Sequence, residues 1–155
     1  MTIGIGADVS MVYTTLDEGK TPKLGDVFNG SGNKCYKFVQ YKEGTAAVDG
    51  VAGEVAYYVA DTGYAANTVT SDLSDSSEIG AGVLQANMSD DEYGWVQIKG
   101  AATLSISLTA GADGDPLTPT GAADGTLDVT TAVTDHICAI AVDASADEII
   151  CDFPH

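Results

Sequence analysis

Short runs rich in β-branched and aromatic residues recur about every ten residues along this chain, and Gly, Asp and Asn separate them. KCYKFVQY (34–41), EVAYYVA (54–60), GVLQA (82–86), YGWVQI (93–98), ATLSISL (102–108), TLDV (126–129), HICAIAV (136–142) and EIICDF (148–153) are the runs. DTG, SDLSDSSE, NMSDDE, KG, AGADGDP, TGAADG and DASA lie between them. Val, Ile, Tyr, Phe and Trp suit a pleated, half-buried surface, while Gly, Asp and Asn supply the backbone angles of tight turns. The pattern predicts an all-β fold, a compact barrel or sandwich of short antiparallel strands. Eighteen glycines against four prolines fit many such turns. No 3.6-residue periodicity competes. In TSDLSDSSEIGAGVL, Ser and Asp can cap one turn, but Gly80 and Gly82 end it, so one short helix or helical turn is expected there.

The first 34 residues carry only short apolar patches among turn formers (EGKTPKLGD, NGSGNK). They read as an N-terminal arm (1–34) with one short strand and loops, ahead of a β-barrel or sandwich domain over 35–155. At 155 residues, a single domain buries roughly 70% of its unfolded surface without needing metal or disulfide staples.

Charge narrows the function. Twenty-three acids face six lysines and no arginine, a net charge of −17. Phosphate and base contacts depend on Lys and Arg, so nucleic acid is not an expected partner. Lys20, Lys23, Lys34, Lys37 and Lys42 all precede residue 43, where the net charge is +1; the remainder carries −18. The acids either form a solvated surface that keeps the chain soluble, or leave the lysine-bearing front to dock on a partner. The amino terminus lacks the basic start and apolar run of a signal peptide, and no stretch approaches 18 uninterrupted apolar residues, so no membrane partner is expected.

Candidate chemistry is sparse. GADGDP (111–116) places Asp113 and Asp115 two apart, with Asp124 at the twelfth position, a faint echo of a calcium loop that an ordinary β-turn explains better. His136, Cys138, Cys151 and His155 are the one group with metal-ligand chemistry. If DASA closes a hairpin, Cys138 lies opposite Cys151, yet compact zinc-ligand spacing is missing, and a strand cysteine commonly serves as a small hydrophobe. No GxSxG, GxGxxG, Walker A loop or HExxH occurs, and Asp135 and His136 point to opposite faces of a strand. No enzyme and no cofactor are therefore expected. Among Tyr57, Tyr58, Tyr64, Tyr93 and Trp95, core packing, a protein interface and a sugar platform all stay open. In YGWVQI, Gly94, Val96 and Ile98 form the small, apolar face expected to meet the core, which turns Trp95 outward or into an interface.

The segment from GWVQIKGAATLSI through TAGADGDPLTPTGAADGTLDV to HICAIAVDASADEIICDF resembles the small capsid decoration (cement) proteins of tailed bacteriophages. The shared texture is a strand ending at Gly100, the turn Gly114-Asp115-Pro116-Leu117, the turn Asp124-Gly125-Thr126-Leu127, and two apolar strands between Ile137 and Ile150. It covers about the carboxyl half of the chain. The resemblance implies a structural virion protein, this one or a related head protein, made in the host cytoplasm. Such a protein sits on the outside of the capsid as a homotrimer and secures major capsid protein subunits. The residues expected to bind that partner are Lys20, Lys23, Lys34, Lys37, Lys42 and Trp95. A carbohydrate- or calcium-binding β module is the alternative, and a small hydrolase working through a surface carboxylate pair a third.

Overall fold

A computed structural model describes residues 7–155. Met1–Gly6, the start of the expected arm, lie outside the described residues. Ten strands form one sheet: β1 (Val27–Asn29), β2 (Cys35–Tyr41), β3 (Val55–Val59), β4 (Thr68–Thr70), β5 (Ser76–Leu84), β6 (Tyr93–Thr103), β7 (Pro116–Thr118), β8 (Asp128–Val129), β9 (Ala139–Asp143) and β10 (Glu148–Asp152). Among the described residues, helix is confined to α1 (Gly63–Ala66) and two single 3-10 turns, Leu73–Asp75 and Ala144–Ala146. The chain is all-β, as its turn punctuation predicts.

The strand order is β1-β2-β4-β3-β5-β6-β10-β9-β7-β8, with a further pairing of β2 to β6. That pairing joins β2, β4, β3, β5 and β6 in a closed circuit, so these strands leave no edge between them. All contacts are antiparallel except β2 with β4. β6 is the hinge between the two parts of the sheet. Its first half pairs with β2 and β5, and its second half, Lys99–Thr103, pairs with β10. A register shift at Cys35/Tyr36 and Gly100 at φ +92° mark the bend. A side chain at Gly100 would also press within 3.0 Å of the Asn33 carbonyl oxygen.

YGWVQI and ATLSISL are therefore not two strands. KG bends one long strand without reversing it, and the ladder ends at Thr103. Leu104 to Leu108 keep the alternation, with Leu104 buried and Ser105 and Ser107 exposed. They are held by Gly53 and Asp147 instead of a strand: Ser105 N–H donates to the Gly53 carbonyl, and Leu108 N–H to Asp147 Oδ1. The first three residues of GVLQA end a longer strand that already begins at Ser76, after the short 3-10 turn at Leu73–Asp75, and Gln85 and Ala86 lie beyond it.

One core runs through both parts. Val39, Tyr41, Tyr57, Val69, Leu84, Met88, Val96 and Ile98 fill the ring, and Leu117, Leu127, Cys138, Ile149 and Phe153 continue it beneath β7, β9 and β10. Tyr57 joins the two: its hydroxyl donates to the Thr126 and Ala123 carbonyls and accepts from the Thr126 N–H. A smaller aromatic cluster lies outside the ring. Phe38 and Trp95 pair across β2 and β6, and Tyr13 and Phe28 cover them edge-on. Tyr13 also forms an antiparallel bridge with Tyr93, so the chain before residue 35 lies against the ring from Tyr13 onward.

Candidate functional site

The six residues expected to bind a partner do not come together. Lys34 and Lys42 flank opposite ends of β2, about 25 Å apart along an extended chain. Lys42 pairs with Asp91, which pushes its pKa up, and Lys20 pairs with Asp17 at 3.4 Å. Lys23 is exposed and Lys34 half-buried.

Lys37 and Trp95 require correction, because neither faces solvent. Lys37 lies on the same side of β2 as the buried Val39 and Tyr41. Its Nζ donates to the Tyr58 hydroxyl at 3.0 Å and stands 5.1 and 5.2 Å from the Tyr58 and Tyr64 ring centres. Burial lowers its pKa, since no carboxylate compensates the ammonium. Trp95 is 3% exposed. The face it occupies is indeed the one opposite Gly94, Val96 and Ile98, but chain some seventy residues earlier covers it. Its Nε1 is buried without an acceptor. Of the other aromatics, Tyr57 and Tyr58 are fully buried, Tyr93 is half-buried and Tyr64 alone is exposed. They form no platform.

The acid-rich loop uses its carboxylates on backbone N–H groups, its own and those of the turn after β9. Asp115 Oδ2 accepts from Ala112 N–H and Asp113 Oδ1 from Ala144 N–H, while Asp124 Oδ1 accepts from Leu73 N–H elsewhere. The first is a turn contact and the other two tie separate loops together, so the three carboxylates do not converge. DASA does close the β9–β10 hairpin, but Cys151 pairs with Ala139, one residue from Cys138. Both cysteines are buried thiols, and His136 and His155 are exposed. No group of three or more potential ligands gathers among the described residues.

Burial pushes the Cys151 thiol up to about 12 and raises Cys138 as well. Above about pH 8.5 the unfolded chain releases these two protons while the folded chain keeps them, so stability present below that pH falls as pH rises. Two thiols together give a loss of about 2 to 3 kcal/mol between pH 8 and 9.5. Urea titration at the two pH values measures it, and a Cys138→Ala/Cys151→Ala variant should lose much less over that interval.

What the sequence reading missed is an apolar row on the outside of the second half of the sheet. Ala101, Ile150, Ile140 and Pro116 stand in register across β6, β10, β9 and β7. Ile150 is 50% and Ile140 40% exposed, with Val142 at 46% beside them. Their neighbours Ile149, Cys151, Ala139 and Ala141 point to the core. The signal was present in HICAIAV, which is apolar at both alternating sets of positions after His136; a half-exposed strand ordinarily has a polar set, as EIICDF does at Glu148 and Asp152 on either side of Ile150. Glu148 and Asp152, on the same face of β10, border the row with negative charge. Compared with protein-family models, with curated proteins and with solved structures, the chain matches none.

Proposed function

We propose that this chain is a non-catalytic structural module that docks on a larger protein assembly, and that the assembly is the outer surface of a phage head. The observation that carries the reading is the row Ala101, Ile150, Ile140, Pro116. Contiguous apolar surface bordered by polar groups marks protein contact sites. Its border at Glu148 and Asp152 is acidic, so the fitting occupant is a capsid subunit presenting an apolar seat with a basic rim. The acidity of the chain supports an outward-facing role, because like-charged surfaces stay apart at the high local concentration of a shell. The resemblance of the carboxyl half to decoration proteins supplies the identity of the shell and the trimeric state.

The test uses heads assembled from the major capsid protein encoded in the same genome. The chain should pellet with them. An Ile140→Asp/Ile150→Asp variant should fold, since both side chains are already half in water, yet bind at least ten-fold more weakly, the effect of removing a central apolar contact. Equal binding by this variant would sink the row as the seat. Sedimentation equilibrium of the free chain tests the trimer.

A further inference from the structure

A second feature lies on the edge of β6 beyond its bend. Over Ala101–Thr103 the strand has β10 on one side only, because β2, which flanks it further back, ends its pairing at Cys35 opposite Lys99. Leu104 N–H donates to the Asp147 carbonyl on the β10 side, and Ser105 N–H to the Gly53 carbonyl on the other. Backbone direction alternates along a strand, so the Ala101 and Thr103 N–H groups point to the open side. A groove of about 370 Å³ lies there, with Lys34, Gly53, Gln85, Gln97 and Thr103 in its walls.

The polar groups of this groove are fixed and incompletely matched. Gln97 is 3% exposed, and its Nε2 donates to the Lys99 carbonyl at 3.0 Å and the Ala101 carbonyl at 2.9 Å. Both partners are acceptors, so the carboxamide has one orientation, and its Oε1 takes no protein donor among the described residues. Gln85 is held likewise, with Nε2 donating to the Val83 carbonyl at 2.9 Å. Lys34 has no carboxylate within ion-pair distance; Glu148, in the wall of the adjoining cleft, lies beyond it. The groove thus offers strand N–H donors, two carboxamide acceptors and one unpaired ammonium.

We propose that this open edge binds an extended peptide segment carrying an acidic side chain. Its backbone pairs with Ala101 and Thr103, its N–H groups meet the carboxamide oxygens of Gln97 and Gln85, and its carboxylate meets Lys34. Strand addition gives such binding its register through main-chain bonds and its selectivity through the flanking side chains. The inference deepens the docking reading: it names a chain segment that a partner would thread here, along the edge where the apolar row ends at Ala101.

The experiment titrates the ¹⁵N-labelled full chain with acetyl-Val-Thr-Glu-Thr-Val-amide and with its Gln counterpart. The expected result is shifts of the Ala101 and Thr103 amides and of the Gln97 side-chain amide. The Glu peptide should bind about five-fold more tightly, the usual scale of a part-exposed ion pair. Lys34→Met should erase that preference while leaving the fold intact. Absence of shifts at Thr103 with millimolar peptide, shifts centred on β1 or β8, or a Glu preference that survives Lys34→Met would overturn the proposal. The Ile140→Asp/Ile150→Asp variant should bind the peptide normally, so failure of head attachment and failure of this edge site remain distinguishable.

Discussion

Gly82→Ala is expected to destabilise the protein by about 4 kcal/mol, the sum of backbone strain and overpacking, as measured by urea or thermal unfolding. Gly82 sits in β5 where that strand, paired with β3, comes against β6 to close the ring. Its φ is +148°, and a methyl group there would stand 2.7 Å from the Gln97 carbonyl oxygen and 2.9 Å from Val96 Cβ. The first contact is with backbone, which cannot rotate away. Gly80, two residues earlier, is the comparison. Its added carbon would meet the Phe153 ring at 2.7 Å with no positive φ, and a side chain can shift, so Gly80→Ala should cost about 1 kcal/mol. Equal and small effects at both positions would mean that the ring is looser than the β5–β6 contact indicates.

Trp95→Ala should cost about 4 kcal/mol, the range for emptying a large aromatic site. Trp95 is wedged between Phe38 and Phe28, with ring centres 5.2 and 6.2 Å away. Trp95→Phe should lose far less. It keeps most of the ring contact and removes a buried Nε1–H that has no acceptor, a group that itself costs about 1 to 3 kcal/mol. As the only tryptophan, Trp95 also reports its own burial through a blue-shifted emission that moves red on unfolding. A Trp95→Ala variant with unchanged stability but lost attachment would return this residue to the partner surface. For the same reason, removal of residues 1–34 should uncover Phe38 and Trp95 and destabilise the remaining domain, because Tyr13 and Phe28 are their cover.

Local patterning made the strands legible, and non-local packing hid the rest. β2, β3 and β10 fall within the expected runs, and β9 passes its run by one residue at Asp143, because each carries enough apolar residues between Gly or Asp turns. β4 is three residues of TVT, and β7 opens on Pro116, whose missing N–H reads as a turn. Trp95 and Lys37 carry the sharper lesson. Alternation states which side of a strand a residue occupies, not whether another segment covers that side. Phe28 covers Trp95, and Tyr13 its neighbour Phe38, on the outside of the ring. Lys37 points inward at a ring end where Tyr58 and Tyr64 receive its ammonium. The apolar row escaped notice because ICAIAV is hydrophobic at every position and reads equally well as two buried faces, while in β10 Ile150 stands singly between Glu148 and Asp152.

Lys42 and Lys20 are engaged with Asp91 and Asp17, and Lys37 is interior, so of the five lysines before residue 43 a lysine-led attachment would keep Lys23 and Lys34 alone. The apolar row and the open β6 edge replace it as the surfaces with chemistry to offer a partner. The most direct test images heads of the cognate major capsid protein by electron cryomicroscopy with and without the added chain. The account predicts ordered extra density on the outer surface at a saturable number of positions. An unchanged head surface at saturating chain would contradict it.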